Sequence, residues 1–247
     1  MISGPLLFAR YAFAPNVRGY CGPADDRALS DYVTAGVTDQ GLTELAKGFA
    51  GAWPYLELIA TANGIADPLD ARVVEAYWIG NPLLERIRVP ALGSSADERF
   101  RRVAGRDWRH VADAVLGGGV PHHSFHVFCV YPWTGLLRSG RTEPSLQVLD
   151  RCRITWGRVL TAPANGTVVV RQQPLTWDGR ELALGTPEPR PAGTGFLESA
   201  RPGDWVSLHW DTICDRLTTG QLLSLRAYTA RHLRLVNATE NRVTAAR

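Results

Sequence analysis

The feature that most constrains this chain is a change of periodicity near residue 140, helical before it and alternating after it. In residues 42–63 the apolar positions Leu45, Phe49, Ala52, Trp53, Leu56 and Ile59 form one stripe, and Asn63-Gly64 supplies a helix stop. Asp67-Pro68 reads as an N-cap followed by proline in the first turn, opening a second helix through Val73, Val74, Tyr77 and Trp78. Gly80-Asn81-Pro82 interrupts it. A third helix is expected over residues 96–116, between Ser95 and Gly117-Gly118-Gly119. Residues 122–137 stay ambiguous: β-branched and aromatic side chains favour a strand, whereas the length suits a helix bent at Pro132.

Residues 138–144 read as a polar linker, and β signals follow. Residues 152–160 alternate, Thr167-Val168-Val169-Val170 is β-branched throughout, and Asn165-Gly166 and Asp178-Gly179 are hairpin signals. Residues 185–195 read as a Gly/Pro loop, and residues 205–210 as another strand. Thr218-x-x-Gln221 is a capping box opening a terminal helix, with Leu222, Leu225, Tyr228 and Leu235 on one face. The expectation is an α+β protein. Residues 1–140 form a mainly helical domain of unassigned role, residues 145–237 a small β-barrel with a C-terminal helix, and residues 238–247 a frayed tail.

Composition narrows the function classes. At 247 residues, 45% hydrophobic and 21% charged, the chain has the balance of a folded globular protein. A net charge of +3 argues against a dedicated nucleic-acid binder. No apolar run approaches membrane-spanning length, and residues 1–13 lack the basic start and long apolar run of a signal peptide, so a cytoplasmic protein is expected. The four cysteines, Cys21, Cys129, Cys152 and Cys214, are scattered with no C-x-x-C pair, so no disulfide framework is expected.

One constellation lies in the helical half. Pro121-His122-His123-Ser124-Phe125-His126 concentrates imidazole, the commonest transition-metal ligand type. His122 and His126 share a face on either a helix or a strand, and Cys21, in the tight turn Gly19-Tyr20-Cys21-Gly22-Pro23, is a candidate further ligand beside His123. A metal-dependent enzyme built on this cluster is one reading. The stretch is not an H-E-x-x-H pattern, and no Walker A loop, G-x-G-x-x-G or G-x-S-x-G motif is present.

A second constellation lies in the β half. Cys152-Arg153-Ile154-Thr155-Trp156-Gly157-Arg158-Val159 resembles the opening of the HypC/HupF family of small NiFe-hydrogenase maturation chaperones. Pro202-Gly203-Asp204-Trp205-Val206-Ser207-Leu208-His209 is similar to that family's Gly-Asp-aromatic-Val stretch leading to a histidine. The resemblance covers residues 150–237 and implies an OB-like barrel. It also implies an accessory role without turnover, in which Cys152 and His209 hold iron, carried as a cyanide- and carbonyl-bearing group. The partners implied are the hydrogenase large subunit or a maturation scaffold protein. The chemistry is coherent, because a soft thiolate suits low-valent iron and an imidazolium beside a thiol lowers its pKa. Here the cysteine is internal, whereas the family's cysteine becomes the chain's N-terminus. Trp156, Trp205 and Trp210 are candidates to shield such a site from water.

Overall fold

The computed structural model describes residues 2–244 except 26, 105–107, 132 and 198. Its first helix, α1 (Gly4–Val17), buries Leu7, Phe8, Ala9, Tyr11, Ala12, Ala14 and Pro15. A helix apolar around most of its circumference belongs in an interior. Around α1 pack α2 (Ala28–Ala35), α3 (Gln40–Lys47), α5 (Ala71–Trp78) and the two strands Trp205–His209 and Thr212–Arg216; α4 (Trp53–Ala62) packs on α5. The helix expected over residues 42–63 is therefore two. The chain breaks between Lys47 and Trp53, where Gly48 and Gly51 weaken helix propagation and Pro54 favours a fresh start. Asp67 caps only the Leu69 N–H, while Asp70 is the N-cap of α5 through Arg72 N–H.

A 3₁₀ turn (Pro82–Arg86) leads to α6 (Val89–Ala104) and α7 (Trp108–Leu116). The stretch expected as one helix over 96–116 is helical on both sides of residues 105–107, which lie outside the described residues, and it starts earlier than expected, at Val89. The ambiguous stretch is helical: α8 (His123–Phe125) runs into a π-helical turn (His126–Val130), followed by α9 (Trp133–Arg138). The bend expected at Pro132 falls outside the described residues.

The expected linker is short, because α10 (Thr142–Cys152) starts inside it. Ser145, Leu149 and Cys152 are buried at helical spacing, so Cys152 ends a helix rather than opening a strand. The strands are β1 (Thr155–Val159), β2 (Thr167–Gln172), β3 (Leu175–Trp177), β4 (Leu182–Leu184), β5 (Glu188–Gly193), β6 (Trp205–His209) and β7 (Thr212–Arg216). β3 and β4 form a separate hairpin; the other five form a mixed sheet in the order β1-β2-β5-β7-β6. β6 returns to pair with β1, so the sheet closes on itself around Val159, Val168, Val170, Val206, Leu208 and Ile213.

β5 replaces the loop expected over 185–195. Its prolines explain both the misreading and the fold. Thr194 N–H donates to Gly166 on the β2 side, and Gly193 N–H donates to Asp211 on the β7 side. By alternation Pro189 and Pro191 fall on the β7 side, where β5 makes only the Gly193–Thr212 pairing, so their missing N–H groups cost no ladder bonds.

The last helix, α11 (Thr219–Thr244), continues past residue 237, so the expected frayed tail is helical as far as Thr244; residues 245–247 lie outside the described residues. The capping box is present, with Gln221 N–H donating to Thr218 Oγ1. α11 lies chiefly against α7, α8 and the π turn, and it reaches the closed sheet through Arg226, whose guanidinium lies 5.8 Å from the Trp156 ring centre and 5.1 Å from that of Trp205. One continuous core joins side chains from both halves, from Phe8 and Tyr55 to Cys152, Trp156, Trp210 and Leu225. Among the described residues no helix is long and apolar enough to cross a membrane.

Candidate metal centre

His209 is the last residue of β6, and its orientation is set by a proline in α1. Pro15 has no N–H, so the Tyr11 carbonyl four residues earlier has no intrahelical donor from that position. His209 Nδ1–H takes it, at 2.7 Å. The proton is thereby fixed on Nδ1, and the buried Nε2 keeps a lone pair with no hydrogen-bond partner among the described residues.

Cys152 is brought to His209 by a set of ties between the end of α10 and the β half. Trp210 N–H donates to the Arg151 carbonyl at 2.9 Å, and Arg151 pairs with Asp211 at 3.0 Å. Two residues further on, the buried Arg153 guanidinium binds Asp150 and the Gln173 carbonyl, while Asp150 also accepts from Leu175 N–H and Arg190. The β6–β7 turn that carries Trp210 and Asp211 holds both at positive φ, 50° and 57°. An aromatic residue rarely adopts that conformation outside a tight hairpin turn, and here it places the indole in the wall of the cavity that Cys152 also lines.

His123 comes from the first turn of α8. Its Nε2–H donates to the Cys152 carbonyl at 2.8 Å, one of the acceptors a helix C-terminus leaves free. Its Nδ1 therefore accepts, from the Tyr77 hydroxyl at 3.1 Å; that hydroxyl has a second acceptor, the Gly51 carbonyl, at 3.3 Å. Trp78 packs beside both imidazoles, its ring centre 4.7 Å from that of His123 and 5.6 Å from that of His209, while the two imidazoles meet edge to face at 5.1 Å.

One ligand atom from each of His123, Cys152 and His209 lies within 4.8 Å of the other two, and all three residues are buried. Ligand atoms around a tetrahedral ion sit about 3.5 Å apart, so the trio needs to contract by about 1 Å to close on a metal. His209 offers its lone pair directly. His123 must first release the Cys152 carbonyl or the Tyr77 hydroxyl.

The trio lines a cavity of about 260 Å³. Cys21, Gly51, His126, Tyr131 and Trp210 line it too, and none of the lining side chains described carries a carboxylate, an ammonium or a guanidinium. Tyr20, half exposed, stacks on Trp210 with ring centres 4.0 Å apart and closes one side.

Burial of these side chains determines their charge state. Burial pushes the Cys152 thiol up to about 12, reinforced by Cys21, with the Trp210 indole N–H pulling the other way. The Cys21 thiol rises to about 12 by burial alone. Burial lowers His209 to about 4, opposed by the Tyr11 and Cys152 carbonyls, and lowers His126 to about 3. It drives His123 well below the ordinary histidine value, helped by the neighbouring His209. The expected thiolate–imidazolium pair is thus corrected: at neutral pH the site holds a thiol and neutral imidazoles. A bound metal ion would supply the charge that deprotonates the thiol.

The structure brings together residues from both constellations. Cys152, His209 and His123 form the cluster, and His126 and Cys21 share the cavity wall without joining the trio. His122 is elsewhere. It is the N-cap of α8, with Nδ1 accepting from Ser124 N–H, so it precedes the helical face that His123 and His126 share. The sequence reading paired His122 with His126; the π turn and the cap select His123 instead. Cys214 is buried, its thiol 3.6 Å from the Thr212 carbonyl. Tyr11, Pro15, Tyr77 and Trp78 shape the site; the sequence singled out Tyr77 and Trp78 only as part of a helix stripe and Tyr11 and Pro15 not at all, the one available signal being a proline inside an otherwise apolar helix.

No curated protein and no solved structure matches the chain. A family model covers residues 1–243, so both halves lie within a single family unit. By that match the chain belongs to the family of unknown function DUF6390.

Proposed function

We propose that this protein binds a soft transition metal through Cys152, His209 and His123 and hands it on, as an accessory protein and not as an enzyme with turnover. The carrying observation is the convergence of one thiol and two imidazoles from α10, β6 and α8 on one apolar cavity. One sulfur and two nitrogen donors suit iron, zinc or copper better than magnesium or calcium. No lining side chain described carries a formal charge, and burial holds the pKa values of the lining histidines His123, His126 and His209 below neutrality, which favours holding over proton transfer.

The cargo implied by the HypC/HupF resemblance is iron bearing cyanide and carbonyl, and the setting it implies is NiFe-hydrogenase maturation, with the large subunit or a scaffold as partner. Two features support that setting. Cys152 and His209, the matched pair, meet across 57 residues of sequence (209 minus 152). Numbered within the ring, the strands run 1-2-3-5-4, with the third and fifth parallel and the other pairs antiparallel, an order we read as OB-like.

The test is anaerobic purification, metal analysis and infrared spectroscopy in the region of metal-bound carbonyl and cyanide stretches. Metal and bands present in the wild type and absent from Cys152→Ala are the expected result. Metal retained by Cys152→Ala but lost from His126→Ala would move the function to the second reading, a metal-dependent enzyme, which rests on His126 and Cys21 sharing the cavity. No metal in any form would leave a protein-interaction module.

A further inference from the structure

His126 occupies the cavity wall beyond the trio, 3% exposed, and its Nε2 has no hydrogen-bond partner among the described residues. Its Nδ1 lies 3.3 Å from the Tyr55 hydroxyl. Tyr55 is fully buried, and among the described residues no other acceptor for its O–H is found. A buried O–H is satisfied there only by donating to Nδ1, which places the imidazole proton on Nε2. The guanidinium of Arg99, 4.2 Å over the Tyr55 ring, can only donate and so does not compete for that O–H. The ring is therefore held with an N–H directed at the cavity.

Space and lining agree with a donor awaiting an acceptor. A Cβ on Gly51 would stand 3.1 Å from His126 Nε2, tighter than ordinary contact, so glycine keeps that approach open. About 260 Å³ is far more than an ion clasped by three side chains needs, and walls of Pro15, Phe49, Trp78 and Val148 do not order water.

We infer that the cargo is a metal complex bringing its own small ligand into the cavity, and that His126 Nε2–H reads an acceptor atom on that ligand. This deepens the metal-binding reading and rests on it. The class excluded is a bare hydrated ion. His126 is a specificity residue and not a metal ligand.

The experiment loads the full chain anaerobically with Co(II), follows the thiolate-to-cobalt absorption, then titrates with cyanide. His126→Phe should bind Co(II) within about twofold of wild type, bind cyanide about tenfold more weakly, and shift the C≡N stretch. His126→Gln, which restores an N–H, should recover most of the cyanide affinity, a recovery that a merely structural role would not produce. Equal cyanide affinity and an unchanged stretch in wild type and His126→Phe overturn the inference and leave the metal site standing. Absence of Co(II) binding, or binding untouched by Cys152→Ala, overturns the metal reading and this inference with it. Loss of Co(II) from both His126 variants would make His126 a ligand and overturn the assigned role.

Discussion

Two clusters of buried histidine share one short stretch of chain and end in opposite chemical conditions. In the first, His123 and His126 face a cavity with His209, and two Nε2 atoms, those of His126 and His209, have no partner among the described residues. In the second, Val120 N–H donates to His232 Nε2 at 3.4 Å, which places the His232 proton on Nδ1. That proton goes to Ser124 Oγ at 2.7 Å, and Ser124 O–H goes on to His122 Nδ1 at 2.7 Å. His122 also stacks on Tyr228 and His232. The chain of donors and acceptors is consumed internally as far as His122 Nε2, and neither His122 nor His232 lines the cavity. Burial alone therefore does not make a binding site. What separates the clusters is open volume beside a ring nitrogen whose partner the fold has left out.

Acid is the strongest common challenge, because both clusters are neutral. His122 and His126 fall to about 3 and His209 to about 4, while His123 and His232 are driven well below the ordinary value, in every case chiefly by burial. With folded values depressed below an unfolded value of about 6.5, the unfolded chain takes up protons first. Their contribution to stability is complete above about pH 6.5 and declines as pH falls toward about 4 and then 3. Between about pH 7.5 and about pH 5 the loss is on the order of 2 kcal/mol per histidine, so about 6 kcal/mol from His122, His126 and His209 together. Urea unfolding of the metal-free protein across that range measures it; a flat profile would mean the rings are already charged or solvated.

The clusters should then separate under paired substitution. His209→Ala is expected to weaken Co(II) binding at least about 100-fold by removing the one ready nitrogen ligand. His232→Ala, which orphans Ser124 and Val120, should instead cost about 3 kcal/mol in stability and leave Co(II) affinity within about twofold. Reversal of that pattern would transfer the site to the second cluster. The smallest and sharpest contrast is Pro15→Ala. The new N–H competes for the Tyr11 carbonyl, loosens the His209 tautomer and should weaken Co(II) about tenfold while the circular-dichroism spectrum stays unchanged.

Much of the site chemistry was legible in the sequence, and its geometry was not. Cys152, His209 and the 122–126 histidines stand out by residue type, and the pairing of Cys152 with His209 came through resemblance. Which histidine would join them depended on a cap and a π turn, neither of which leaves a hydrophobic period. The broad order, helices first and strands later, followed from periodicity because burial acts on every third or fourth residue in one half and on alternate residues in the other. Signals that contradict their own element defeated it: prolines inside β5, polar residues at the start of α10, and glycines inside an otherwise helical stripe. In each case a tertiary arrangement made the local cost harmless.

The prolines of β5 have one more consequence. The ring has a seam where β5 meets β7 at a single pairing, Gly193 with Thr212, and that seam is where local opening should begin. Opening would bare two strand edges, that of β5 and that of β7. An ordinary bared edge recruits another chain, but Pro189 and Pro191 remove donors from the β5 edge. Of the two edges opened at the weakest join, one is blunted in advance.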